Sequence, residues 1–271
     1  MKPEFSRLAL ITGNKTLEKL ENTKVIVFGL GGVGSWCAEA LVRSGLGTIA
    51  LVDSDLVCVT NINRQVQATT QTIGLKKTEA LKDHLAKINP DCKIIPITKV
   101  FCKENECDFD ICTYEFVIDA IDSLSNKLDL IEFCLAHNKT IFSCMGMAQK
   151  LDPTKIKTGS IWKTIGCPLA KLVRAGLRKR GFNPIVPCSR MPSDFEVVYS
   201  EERLPLQSGV SVGCGTGRCL CPECGSEDAQ VTENKIEWCA MKKVINGSAV
   251  TVTASAGMVL ASLVLQNLCK K

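Results

Sequence analysis

Residues 25–35 read VIVFGLGGVGS. Four β-branched or aromatic apolar residues run into a glycine-rich turn, and the turn runs into the start of a helix. Gly29, Gly31, Gly32 and Gly34 let the backbone approach a phosphate closely. The helix that follows supplies free N–H groups and a partial positive charge at its N-terminus. The fingerprint alone fits a dinucleotide used for redox chemistry as well as it fits ATP.

Outward from this stretch the chain alternates. GVGSWCAEALVRSGLG reads as a helix stopped by Gly45 and Gly47, and TIALVDSD as the next strand, which makes a βαβ unit. LKKTEALKDHLAKIN reads as a helix ended by Pro90, and NKLDLIEFCLAHN as another. KIIPITKVF, FVIDAIDS and KTIFSCMG read as further strands. Such alternation predicts an α/β fold: a doubly wound, Rossmann-like, mostly parallel sheet with helices on both faces. Residues 6–22 add one or two amphipathic helices ahead of it.

After Gly146 the character changes. DPTKIKTGSIWKTIGCPLAKLVRAGLRKRG holds a basic helical stretch, FEVVYSEE a short strand, and VGCGTGRCLCPECGSEDAQ a cysteine-rich loop. INGSAVTVTASAG then reads as a buried strand and GMVLASLVLQNL as a buried helix. The expected organisation is one nucleotide-binding domain over residues 1–271. Residues 150–240 form a basic, cysteine-rich substrate region, and a C-terminal extension completes the core.

Composition fits that organisation. The 271 residues are 45% hydrophobic and 23% charged, an ordinary globular balance. The net charge of +5 permits a polyanionic partner without demanding one. The 16 cysteines would imply disulfides in a short secreted chain. Here Glu4 and Arg7 interrupt the N-terminal apolar residues, so no signal peptide is read, the thiols are expected to be reduced, and the location cytoplasmic. Residues 244–269 carry no charge, but their Asn, Ser, Thr and Gly suit a protein core better than lipid.

The choice of nucleotide turns on the residues after the second strand. Asp53 closes that strand, where it can accept hydrogen bonds from a ribose. Beyond it lie Asp55, Asn61, Asn63, Arg64 and Gln65. Arg64 can fork across phosphate oxygens and Lys77 can add a point charge, which suits a triphosphate. Asp122, at the end of VIDAID, is a carboxylate of the kind Mg²⁺ prefers. Together these residues describe an ATP site.

GxGGVGS, DxD, NxNRQ, the GLKK lysine and DAID resemble the adenylating domain of ubiquitin-activating-enzyme-like (ThiF/MoeB-like) proteins. The resemblance implies activation of a carboxylate as an acyl-adenylate with release of pyrophosphate. It also implies a homodimer in which an N-terminal arginine, at the position of Arg7, is supplied across the interface. AEALVRSGLGTIALVDSDLVCVTNINRQ, LDPTKIKTGSIWKTIGCPLAK, LVRAGLRKRG and GSAVTVTASAGMVLAS are similar, more narrowly, to the tRNA threonylcarbamoyladenosine dehydratases. Cys167 departs from many of these relatives, which carry an acidic residue there. The narrower resemblance implies ATP-dependent cyclisation of threonylcarbamoyladenosine beside the tRNA anticodon, with Arg7, Arg64, Lys77 and Asp122 in the chemistry. Lys155, Lys157, Lys163, Lys171, Arg174, Arg178, Lys179 and Arg180 are then candidates to neutralise tRNA phosphates.

Cys214, Cys219, Cys221 and Cys224 cluster in the loop, with Cys239 downstream. Cys221 and Cys224 have zinc-knuckle spacing, but no second pair matches it. Structural zinc held by residues such as Cys219, Cys221 and Cys224, and reduced thiols in a loop, both remain open. By resemblance Cys239 is a further catalytic candidate. The rival within the same fold is an adenylyltransferase acting on the C-terminus of a ubiquitin-like sulfur carrier, with a sulfur-transfer partner. A non-catalytic scaffold and an NAD oxidoreductase follow it. The first conflicts with the presence of Arg64, Lys77 and Asp122, and the second lacks a hydride-transfer site.

Overall fold

Val25, Ile26, Val27 and Phe28 are all buried, because β1 (Lys24–Phe28) runs through the centre of a sheet covered on both faces. The computed structural model describes residues 2–183, 194–202 and 246–270. The other strands are β2 (Thr48–Val52), β3 (Lys93–Ile97), β4 (Phe116–Asp119), β5 (Thr140–Cys144), β6 (Ile156–Ser160) and β7 (Glu196–Ser200). Their order is β3-β2-β1-β4-β5-β7-β6, and every neighbouring pair is parallel except β6 with β7. This is the doubly wound α/β fold expected from the alternation of elements.

The order reverses between β1 and β4. Phe28 of β1 pairs with Val52 of β2 and with Asp119 of β4, so the three strands end level. Loops leaving adjacent strands in opposite directions open a crevice at this point, where ligands bind in open α/β sheets.

Helices α1 (Ser6–Thr12) and α2 (Asn14–Asn22) precede the sheet. They are followed by α3 (Gly34–Arg43), α4 (Lys77–Ala86), α5 (Leu124–Ala136), α6 (Pro168–Lys179) and α7 (Val250–Lys270). Val25 and Val27 pack with α3 and α7 on one face, while Ile26 and Phe28 pack with α5 and α6 on the other. Each strand residue alternates between two cores, and neither core is open to water. Cys37, Cys134 and Cys144 are buried in these cores.

Two sequence expectations are corrected. INGSAVTVTASAG contains no strand: residues 246–249 are irregular and one helix spans Val250–Lys270. Its Val and Thr residues favour a strand locally, but tertiary packing overrides the preference. A Cβ on Gly257 would lie 2.5 Å from the Val33 carbonyl oxygen, so α7 approaches α3 backbone to backbone. Finally, α4 ends at Ala86, ahead of Pro90. By length and composition α7 could cross a membrane, yet half of its apolar window is buried inside the protein.

Glu39 of α3 accepts hydrogen bonds from Arg43 Nε (2.6 Å) and His84 Nε2 of α4 (2.7 Å). Burial pushes its carboxyl up, but these partners outweigh burial and hold it below its ordinary value of 4.5. A depressed carboxylate contributes stability that is present above its ordinary pKa and lost as pH falls through the folded one. Between about pH 5 and about pH 3, wild-type protein should therefore lose more unfolding free energy than Glu39→Gln. Urea denaturation at both pH values tests this, and equal losses would refute it.

Candidate functional site

The crevice is built from the glycine turn outward. Gly29 has φ +87°, and a Cβ there would lie 2.6 Å from the Ala120 carbonyl oxygen. One on Gly34 would lie 1.9 Å from the Gly29 oxygen. The turn is thus folded tightly on itself and pressed against the exit of β4. Gly31 faces open space. Gly32 has Thr253 of α7 and the Cγ of Arg64 beside it. The first turn of α3 begins here, with the Ser35 amide donating to the Gly31 carbonyl (3.2 Å) and the Cys37 amide to the Val33 carbonyl (3.0 Å).

Asp53, just past β2, holds the turn from the neighbouring strand. Its Oδ2 accepts from the Leu30 amide (2.7 Å) and its Oδ1 from the Asp55 amide (2.9 Å). Lys77, buried at the start of α4, donates to Asp55 Oδ2 at 2.7 Å, and its ammonium lies 3.6 Å from Asp53 Oδ1. Burial pulls the Lys77 ammonium down, but the two carboxylates outweigh it and hold the group above its ordinary value. Burial, joined by Asp55, pushes the Asp53 carboxyl up against the pull of Lys77 and the two amides. Lys77 therefore stays protonated, with two carboxylates to neutralise and its charge at the crevice floor.

Arg64 comes from the loop between β2 and α4. Its guanidinium donates to the Thr60 carbonyl (2.8 Å) and Asn63 Oδ1 (2.9 Å), while its own carbonyl accepts from Trp36 Nε1 (2.9 Å). Burial lowers its pKa, opposed by Cys58 and Asp122. Asp122, exposed in the loop after β4, lies within electrostatic reach of both Arg64 and Lys77. The structure thus brings the glycines, Asp53, Asp55, Arg64, Lys77 and Asp122 to one crevice. Two cations beside the glycine turn and the start of α3 can hold polyphosphate, and an exposed carboxylate can share a hard cation with it.

Other predicted residues shape the crevice indirectly. Asn61 is buried and its Oδ1 accepts from the Cys58 amide (3.0 Å). Gln65 is buried. Asn63 donates to the Ser248 carbonyl (2.8 Å), tying the loop to the segment before α7. Arg7 is exposed on α1. The preceding Phe5 packs beneath Gly45, past the far end of the ten-residue α3. That end lies about 15 Å from the glycine turn, so Arg7 does not serve its own chain's crevice.

The basic tract divides. Arg180 pairs with Asp129 and Glu132 of α5, both at 2.6 Å, and Lys157 pairs with Glu201 at 2.6 Å. Arg174 donates to the carbonyls of Ile161 and Thr164 and to the Thr164 hydroxyl. These three are engaged within the protein, which corrects their reading as free phosphate contacts. Lys155, Lys163, Lys171 and Lys179 are exposed and carry no ion pair among the described residues. Arg178 stacks over Trp162, 5.3 Å from the ring centre. Cys214, Cys219, Cys221, Cys224 and Cys239 lie outside the described residues. No group of three or more metal-ligating side chains occurs among the described ones.

Three functional residues were not read from the sequence. Gln67 Nε2 donates to the Leu30 carbonyl (2.9 Å), supporting the glycine turn from below. Lys127 and Asp119 form an ion pair at 2.6 Å with no exposure on either side chain. A lysine on the apolar face of NKLDLIEFCLAHN was the available signal.

Residues 5–271 match the ThiF family. The tRNA threonylcarbamoyladenosine dehydratase of Bacillus subtilis (strain 168) is 36% identical over 267 residues, covering 98% of this chain and 95% of the relative. The crystal structure of E. coli tRNA N6-threonylcarbamoyladenosine dehydratase, TcdA, in complex with ATP superposes with TM-score 0.78 at 31% identity, covering 98% of this chain and 93% of the other. The adenylyltransferase and sulfurtransferase UBA4 of Debaryomyces hansenii is 35% identical over 130 residues, which is 48% of this chain and 29% of the relative.

Proposed function

From the premise that this chain belongs to the ThiF family, in the branch of the tRNA threonylcarbamoyladenosine dehydratases, we propose that it cyclises N6-threonylcarbamoyladenosine in tRNA with ATP. The observation that carries this is the crevice at the β1/β4 reversal, where Arg64, Lys77 and the glycine turn meet Asp122. The likeness to the dehydratases spans 98% of this chain, whereas the UBA4 match spans 48% of it.

The chemistry proceeds in two steps that balance. A carboxylate oxygen of the threonyl group attacks the α-phosphorus of ATP, and pyrophosphate leaves. The carbamoyl group of the same nucleoside then attacks the activated carbonyl, and AMP leaves with that oxygen while one proton is released. Ring closure is intramolecular, so orientation replaces a second collision. The glycine-turn amides and Arg64 hold the phosphates, and Lys77 keeps a positive charge beside them. Asp122 is the residue that would hold Mg²⁺, because it is an exposed hard oxygen donor beside two cations. When bound, the metal supplies charge neutralisation on the phosphates. No protein nucleophile is required for either step.

Single-turnover incubation with ATP, Mg²⁺ and threonylcarbamoylated tRNA tests the reading. The expected products are AMP and a nucleoside lighter by one water. AMP formation only with a ubiquitin-like carrier protein would overturn the substrate assignment. In the cell, the reaction is assigned to the cytoplasm.

Two further parts of the proposal concern partners. Leu10 and Ile11 are 88% and 85% exposed on α1, beside Arg7. A second copy covering this face would bury them and deliver Arg7 to the neighbouring crevice. Leu10→Asp with Ile11→Asp should then sediment as a monomer and lose AMP formation, and a dimer of unchanged size would refute this. The tRNA is assigned to α6 and the turn before it, where Lys163, Lys171 and Lys179 are exposed and carry no ion pair among the described residues. Converting all three to alanine should flatten the salt dependence of tRNA binding by about two to three log–log units. Arg180→Ala should leave the slope unchanged and lower the melting temperature instead.

A further inference from the structure

We propose that Lys127 is a positioning residue for nucleotide binding: from inside the core it fixes the loop after β4 that abuts the glycine turn. The proposal rests on the ATP-site reading above.

The geometry is specific. Lys127 Nζ donates to Asp119 Oδ2 at 2.6 Å and to the Cys144 carbonyl at 3.0 Å, so one ammonium joins the ends of β4 and β5. Ser143 Oγ donates to the same Asp119 oxygen at 2.5 Å. The other carboxylate oxygen, Oδ1, accepts from the Ile121 amide at 3.1 Å. Asp119 therefore fixes the backbone immediately after β4. The segment it holds carries Ala120, whose carbonyl abuts Gly29, and then Asp122, within electrostatic reach of Arg64 and Lys77.

Stability alone does not account for the arrangement. A buried ion pair often adds nothing over well-packed apolar side chains of similar volume, because desolvation offsets the attraction. What apolar side chains cannot supply is an acceptor for the Ile121 amide. Lys127 and Ser143 hold one Asp119 carboxylate oxygen, which leaves Oδ1 turned toward that amide. The pair thus converts buried charge into a fixed loop position.

Two double variants separate positioning from packing. Asp119→Asn with Lys127→Met removes both charges but leaves an amide oxygen able to accept from Ile121. Asp119→Leu with Lys127→Met removes the charges and the acceptor together. Both avoid the unpaired buried charge that Lys127→Met alone would leave. Metal-free AMP binding by calorimetry and amide hydrogen exchange across residues 116–127 are the readouts. The Asn/Met pair should bind AMP within about threefold of wild type. The Leu/Met pair should bind about tenfold more weakly, with about tenfold faster exchange at Ile121 and unchanged exchange in β2. If the two doubles match in binding and exchange, Lys127 serves packing only and the proposal is overturned. If wild-type protein binds no AMP, the ATP-site reading falls and takes the proposal with it. Equal exchange at Ile121 would by contrast remove the anchor alone.

Discussion

Replacing Arg64 with alanine is expected to slow AMP formation on threonylcarbamoylated tRNA by about a thousandfold, with the melting temperature almost unchanged. The two effects separate because the guanidinium donates to the Thr60 carbonyl and Asn63 Oδ1, both on the exposed loop. Neither acceptor is in the sealed core, so water can replace the lost donor. The phosphates lose more. A planar fork beside the glycine turn matches two oxygens at once, and its charge stands where negative charge gathers as pyrophosphate departs. Arg64→Lys restores charge without the fork and should recover only part of the rate. Rapid-quench measurement of AMP at saturating tRNA would decide, and a loss below about fivefold would remove Arg64 from the chemistry.

Gly34→Ala is expected to destabilise the protein by at least about 3 kcal/mol and to abolish nucleotide binding. Helix propensity points the other way. Gly34 opens α3, where alanine would ordinarily gain about 1 kcal/mol. The added methyl would stand 1.9 Å from the Gly29 oxygen, which is backbone and cannot rotate aside. Gly29 cannot retreat either, because it is pressed against Ala120. The turn must open, and the amides that would face phosphate move with it. Equilibrium urea unfolding measures the first effect and AMP calorimetry the second. A stabilised variant would show that the turn is looser than its geometry implies.

Much of this was legible because the informative residues are local. VIVFG and TIALV are continuous apolar runs, and only strands buried on both faces need them. The glycines, Asp53 and Asp122 follow strand ends, and Arg64 and Lys77 lie in the connection that leaves β2, so recognising the strands brought them to one edge of the sheet. What failed was whatever depended on a distant partner. The Val-Thr run at 250–253 looked like a strand until α3 was there to receive Gly257. Arg174 and Arg180 looked like phosphate contacts because the carbonyls and carboxylates that occupy them lie elsewhere in the chain. Asn61 was read as a nucleotide contact, and the hydrogen bond its Oδ1 accepts within its own turn was not read. Lys127 passed as an ordinary helix lysine, since its partner Asp119 belongs to a different element.

The distribution of thiols makes the chain its own clock. Burial pushes the Cys37 and Cys134 thiols up, and the Cys144 thiol up to about 12. All three are shut inside the two cores, while Cys107, Cys112 and Cys269 face solvent. A maleimide pulse applied to the folded protein should mark the outer three at once and spare the inner three until the sheet parts. Cys37 reports the face shared with α3 and α7, and Cys134 the face shared with α5 and α6. Peptide mapping of the label over time would reveal which side of the molecule comes undone first, without any engineered reporter.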